Sequence, residues 1–275
     1  MSILSVAVTS HGIVFAADRN VTHLSRHEGK GGQVVEVHGQ TQRPKILRWP
    51  HRKALVGYVG AASIAGIPTD DWLYDFIGDN ASFSGLETLS KELRAKVETQ
   101  RRVDEGDHPP EGLIIHVAGF EELGGIQVPQ VWYIRNPHSM ANGEYTDIRK
   151  EFLVSEEFLP NMQKVVPGIR EREIRTKLTE LEARFTPFWF HQGLDLLTFN
   201  TLDSVLTQTF GALSRIPGSK HQLPQRLDDW ERYARMAVLT HGAFFQVFKG
   251  PGEQMVGGGV DSLSIAWPGR GEVHP

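Results

Sequence analysis

The chain has 275 residues, of which 40% are hydrophobic and 23% are charged, a composition typical of globular proteins. Its formal net charge of -4 gives no electrostatic reason to expect nucleic acid or an anionic membrane as a partner. The absence of cysteine excludes disulfide bonds, thiolate metal sites and cysteine nucleophiles, and it favours a cytoplasmic location.

The first residues predict a β-hairpin that starts at residue 2. Leu4, Val6 and Val8 alternate with small residues, and an apolar run over 13–17 follows a turn at 10–12. This start is typical of a strand and lacks the basic region of a signal peptide, and no apolar run approaches the length of a membrane helix.

The next segments predict a loop, a strand pair and a helical region. Residues 21–42 are polar and contain glycine and histidine, so we expect an exposed loop there. Strands are predicted at 45–49 and 54–59. Gly60 is expected to open a helix that Pro68 splits, with Thr69 capping a second piece over 70–77.

The remaining elements follow from apolar periodicity. An amphipathic helix is predicted around 86–97, where leucines and a valine recur every three or four residues. The other predicted elements are strands at 112–119, 131–134, 151–154 and 260–267, a surface helix at 172–185, and helices at 195–213 and 228–248.

Strands grouped at both ends of the chain, with helices between them, indicate an α+β fold. No linker divides the chain, so we predict one domain over 1–275. Residues 24–42 and 156–188 are predicted to be insertions in it.

Three segments, taken in order, resemble the proteasome β subunit and its bacterial relatives of the HslV and Anbu type. The first is GIVFAADRNVT, residues 12–22, which is similar to the family strand that ends in an Ala-Ala-Asp turn. The second combines 45–47 with 55–60, and the third is the closing strand from 257 to 267.

The resemblance implies a four-layer αββα sandwich of the N-terminal-nucleophile (Ntn) hydrolases, with the first residue of the processed chain as nucleophile. Counting back from Asp18 by the family spacing reaches Ser2, which becomes the amino terminus when Met1 is removed. A serine hydroxyl needs a base, and a free α-amino group with a pKa of about 7.7 to 8.0 serves that purpose. By the same resemblance Lys45 would hold the charge that develops on Ser2, Asp18 would accept hydrogen bonds from Lys45, and the Gly57 N–H would form the oxyanion hole.

The resemblance also implies a substrate-binding cleft. Thr22 would pair its backbone with an extended substrate, as in strand addition. The first specificity pocket would be lined by Val21, Leu47, Leu55 and Val59, with Arg43 at its edge.

The chain departs from the family pattern at some positions. Asn20 stands where the proteasome usually carries arginine. The supporting residues of the family's second half have no clear match, and the segments 191–193 and 254–258 are where we expect them.

These features predict a hydrolase of peptide or amide bonds that needs no cofactor, acts on peptides or unfolded proteins, and assembles into a homo-oligomeric ring or spiral. The sequence does not identify an ATPase unfoldase partner. The twelve histidines are dispersed, so no metal site is expected. A catalytically silent ring or scaffold subunit of the same fold and a small-molecule amidase are the alternatives, and retention of Met1 would favour the silent one.

Overall fold

A computed structural model describes residues 2–28, 34–49, 54–79, 85–105, 110–141, 144–186, 188–193, 196–218, 223–248 and 259–268. Its two main sheets are both antiparallel. The chain is α+β, because the strands build these sheets and the main helices form separate segments rather than alternating with parallel strands.

The first sheet contains four strands, in the order β12 (Phe188–Gly193), β1 (Ile3–Val8), β2 (Gly12–Asp18) and β13 (Val260–Ala266). The strands β1 and β2 form the predicted hairpin, and every one of their residues is buried. The closing strand β13 pairs with β2, as expected from its alternating apolar residues. The strand β12 completes the sheet beside β1 and was not predicted.

The second sheet contains five strands, and their order in the sheet is the reverse of their order in the chain. Its members are β5 (Ile46–Trp49), β6 (Ala54–Gly60), β9 (Leu113–Leu123), β10 (Ile126–Ala141) and β11 (Glu144–Glu156). All five were predicted, although the last three are longer than their apolar cores indicated.

The prediction of an exposed loop over 21–42 was wrong. The strands β3 (Asn20–Glu28) and β4 (Val34–Gln42) pair in a continuous antiparallel register from Asn20–Gln42 to Glu28–Val34. Valine and threonine favour strands in both arms. A two-stranded ribbon outside the main sheets needs no continuous apolar face. Its polar residues therefore led to the prediction of a loop.

The expected helix start at Gly60 was also wrong. The short strands β7 (Ser63–Ile64) and β8 (Ile67–Pro68) form a tight hairpin first, with positive φ at Ala65 and Gly66. The helix α1 begins only at Thr69 and ends at Asp79. The Thr69 hydroxyl donates to the Ala61 carbonyl over 2.8 Å, which fixes the start of the helix on the end of β6.

Four of the five remaining described α-helices lie at predicted positions, and the helix at Phe158–Val165 was not predicted. The five are α2 (Leu86–Glu105), α3 (Phe158–Val165), α4 (Ile174–Ala183), α5 (Leu196–Ser214) and α6 (Leu227–Phe248). Among the described helices, none has the length and apolar character needed to cross a bilayer.

Three apolar clusters hold these elements together. One combines Leu4 and Phe15 of the first sheet with Leu55 and Ile114 of the second, so the two sheets share a core. A second cluster joins the other face of the five-stranded sheet to α1 and α2. The third joins the other face of the four-stranded sheet to α6.

The expectation that 172–185 forms a surface helix was only partly right. Ile174 and Leu178 of α4 are fully buried, and together with Phe158 and Met162 of α3 they belong to the core between the sheets. The segment predicted as an insertion at 156–188 therefore contributes to the main core.

Candidate active site

Asp18 anchors the start of the chain. Because Leu4 lies opposite Ala17 in the hairpin, Ile3 comes level with Asp18 at the end of β2. The Ile3 N–H donates to Asp18 Oδ1 over 2.7 Å. The hairpin thus holds Ser2, the residue before Ile3, beside a buried carboxylate.

Lys45 meets both Ser2 and Asp18. Its ammonium donates to Ser2 Oγ over 2.8 Å, to Asp18 Oδ1 over 3.0 Å and to the carbonyl oxygen of Asn20. An ammonium has three protons, so these three acceptors satisfy it completely. The Tyr58 N–H donates to the Lys45 carbonyl over 3.1 Å, which fixes the lysine backbone against β6.

The Lys45–Asp18 pair is almost completely removed from solvent, with each side chain 1% exposed. Burial lowers the pKa of Lys45 and raises the pKa of Asp18, while the attraction between the two charges opposes both changes. Asp18 Oδ2 is buried and accepts no hydrogen bond from the part of the chain that the structure describes. A buried ion pair with one unsatisfied oxygen destabilises the folded state. Groups with shifted pKa values of this kind are concentrated at functional sites.

Among the described residues, Ser2 carries the one hydroxyl group to which Lys45 donates. Ser2 is only partly buried, unlike its two partners. A cation that already donates to Oγ would stabilise negative charge on that atom without reorganising. The geometry therefore suits activation of Ser2 as a nucleophile.

Gly57 is not brought to Ser2 as an oxyanion donor. It lies inside the sheet, opposite Ile46 of β5 and His116 of β9. A Cβ at this position would approach the side chains of Leu4 and Phe15 at 3.0 Å, so the residue faces the core between the sheets.

Gly60 is better placed for that role. Backbone groups alternate sides along an antiparallel strand, and Tyr58 donates toward Lys45, so the Gly60 N–H points to the same side. The β5 ladder pairs only with residues 54–57, and Gly60 is exposed beyond its end. Its φ is +105°, and a Cβ there would meet the Gly112 carbonyl oxygen at 2.0 Å, which requires glycine.

The residues predicted to line a specificity pocket do not line a common pocket in the structure. Leu55 and Val59 belong to the core between the two sheets. Leu47 packs instead against the cluster of α1 and α2. Val21 is buried at the base of the β3–β4 ribbon.

Arg43 and Thr22, the two other predicted substrate-binding residues, lie within two residues of Lys45 and Asn20 in the sequence. Their contacts in the structure are different. Arg43 donates to Asp70 over 2.6 Å and to Asp71 over 2.5 Å, so it ties the segment before β5 to the first turn of α1. Thr22 lies on β3 opposite Gln40. Among the described strands β3 pairs only with β4, which leaves its second edge without a neighbouring strand.

Sequence reasoning missed a chain of polar contacts that starts on β1. Ser5 Oγ lies 3.1 Å from His191 Nδ1, and His191 Nε2 lies 3.6 Å from Asp203 Oδ2. These contacts join β1, β12 and α5. Residues 191–193 were expected to support the site, and the structure places them on β12 beside β1. Residues 254–258 lie outside the described residues.

Comparison with models of known protein families and with the sequences of curated proteins found no match for this chain. The geometry around Ser2 and the sequence resemblance are therefore the remaining indications of function.

Proposed function

We propose that this chain is a proteasome-like Ntn hydrolase that cleaves peptide or amide bonds with Ser2, after removal of Met1. The observation that carries the proposal is the contact of Ser2 Oγ with the buried Lys45–Asp18 pair. A solvated surface lysine would not be 1% exposed with all three protons satisfied.

The packing supports a four-layer αββα sandwich. The two sheets share one core, the five-stranded sheet packs α1 and α2 on its other face, and the four-stranded sheet packs α6. That order of layers is the one implied by the resemblance to the proteasome β subunit.

In the proposed reaction the free α-amino group of Ser2 accepts the proton of Oγ, directly or through a water molecule. Oγ attacks the substrate carbonyl carbon, while the Lys45 ammonium stabilises the charge on Oγ and the Gly60 N–H receives the carbonyl oxyanion. The C–N bond breaks and the leaving amine takes the proton. Water then attacks the ester on Ser2, releases the acid and returns the proton to Oγ.

The β3 edge near Thr22 would bind substrate in this account. An extended peptide placed there gains backbone hydrogen bonds by strand addition. Such binding depends on the backbone rather than on side chains, so it fits peptides and unfolded proteins better than a compact small-molecule amide.

The proposal is tested by incubating the purified protein with a fluorophosphonate, which reacts with activated hydroxyl groups, and mapping the adduct by peptide mass spectrometry. We expect a single stoichiometric adduct on Ser2, and none in Ser2→Ala. An adduct distributed over several serines, or its absence from a chain that starts at Ser2, would overturn the proposal.

A further inference from the structure

A cleft lies on the side of the four-stranded sheet where α5 and α6 pack, and none of its lining residues belongs to the Ser2 site. It has a volume of about 560 Å³, within the range of small-molecule sites of roughly 300 to 1,000 Å³. Phe185, Phe210 and Tyr233 supply its apolar wall, and Arg226, Asp229 and Arg232 also line it.

The two arginines of this cleft share a single carboxylate. Arg226 Nε lies 3.9 Å from Asp229 Oδ2, and Arg232 Nη1 lies 3.8 Å from Asp229 Oδ1. Both distances exceed that of a hydrogen bond. The arginine side chains are 70% and 75% exposed, so these ion pairs contribute little.

Asp229 is already engaged by the backbone. Its Oδ2 accepts the N–H groups of Gln225 and Arg226, each over 3.2 Å, at the start of α6. Three charged groups therefore give the cleft a net charge of +1, and both guanidinium groups keep donors for another acceptor.

We propose that this cleft binds a small organic anion, a carboxylate with an aliphatic or aromatic body. The body would lie against the aromatic wall, and the carboxylate would accept charge-assisted hydrogen bonds from Arg226 and Arg232. The proposal is independent of hydrolysis at Ser2, because none of its residues contacts that site.

Calorimetric titration of the full chain with octanoate tests this binding, with 1-octanol as the neutral ligand of equal chain length. We expect octanoate to bind at least tenfold more tightly than octanol. Affinity should also rise about fourfold for each added methylene from butanoate to octanoate, as expected for burial of the chain. Equal affinity of octanoate and octanol, or no binding at millimolar concentration, would overturn the proposal.

Arg232→Gln is the decisive variant, and Arg235→Gln is its control. Arg235 lies on the same helix and is exposed, but it does not line the cleft. We expect Arg232→Gln to weaken octanoate binding at least tenfold while leaving octanol unchanged, and Arg235→Gln to change neither. Equal effects of the two substitutions would show that only the overall charge matters and would contradict a built site.

Discussion

Lys45 and Asp18 lie 27 positions apart in the chain, yet their charged groups meet at 3.0 Å in a place where each is 1% exposed. Desolvating two charges costs several kcal/mol each, and their attraction offsets this only when the remaining hydrogen bonds are made. Asp18 Oδ2 lacks such a bond within the described residues. We therefore infer that the pair serves reactivity at Ser2 more than stability.

The first prediction concerns Lys45→Met. It should lower hydrolysis at least about a hundredfold, because Oγ loses its cation, and should cost about 3 to 5 kcal/mol of folding free energy, because Asp18 stays buried without a partner. Activity per folded molecule and urea unfolding measure the two effects. Lys91→Met is the matched control, since Lys91 is 59% exposed on α2, and it should be nearly neutral.

The double variant Lys45→Met with Asp18→Asn separates folding from catalysis. Removing both charges should recover most of the lost stability, while activity stays absent. Recovery of hydrolysis along with stability would mean that Lys45 acts only by supporting the fold.

The second prediction compares the two glycines of β6. Gly60→Ala should lower activity at least about tenfold, because the required φ and the Gly112 carbonyl force its peptide to move away from the oxyanion position. Gly57→Ala should mainly reduce thermal stability, since the nearest neighbours of the new methyl group are the side chains of Leu4 and Phe15. If Gly57→Ala lowered kcat/KM more than Gly60→Ala, the Gly57 N–H would be the better candidate for the oxyanion donor.

The difference between these glycines shows what sequence could and could not predict. The resemblance to the proteasome β subunit supplied the spacing from Asp18 to Ser2, and the apolar neighbours of Lys45 predicted a strand, which in the structure begins one residue later, at Ile46. Which β6 residue faces the site depends on the register between β5 and β6, and a one-residue shift reverses every side chain and N–H.

The missed strand β12 has a similar cause. Its residues Phe188, Trp189 and Phe190 are consecutive aromatics, which do not distinguish a strand from a buried helix segment. Its residues pair with β1 residues that lie 180 to 190 positions earlier, and the local sequence pattern does not contain this information. The same limit applies to the specificity pocket, because Leu47 and Leu55 face different cores.

The third prediction concerns pH. His116 is fully buried between the sheets, and its ring is tilted against that of Tyr133 with the ring centroids 4.0 Å apart. Neither ring nitrogen is hydrogen-bonded within the described structure. Burial, with a smaller contribution from Arg135, lowers its pKa to about 3. The unfolded chain, where the histidine pKa is about 6.5, takes up this proton first as pH falls. Stability from His116 is therefore complete above about pH 6.5 and is lost progressively toward pH 3.

His116→Phe should remove this loss, which amounts to at most about 1.4 kcal/mol for each pH unit in that window. Urea unfolding midpoints measured from neutral to acidic pH test it, and His138→Phe, at a partly exposed position, is the control. If His116→Phe and the unmodified protein lose stability in parallel, the histidine does not titrate on unfolding as described.

The fourth prediction concerns assembly into a homo-oligomer. Val247 and Leu239 lie eight residues apart on α6, on the same helix face, and are 73% and 47% exposed. We expect light scattering to find an oligomer at micromolar concentration, and Val247→Asp to dissociate it. A strict monomer would contradict the expected ring or spiral. If Lys164→Asp also dissociated the oligomer, the effect of Val247→Asp would not be specific to the exposed face of α6.

The most direct test of the central claim is the intact mass of the purified protein before and after reaction with a fluorophosphonate. The account predicts a chain lighter than the encoded one by a single methionine residue, which then gains one adduct in full. A chain that keeps Met1 in every molecule has no free α-amino group on Ser2. Retention of Met1 together with the absence of an adduct would contradict catalysis by Ser2 and favour a silent subunit.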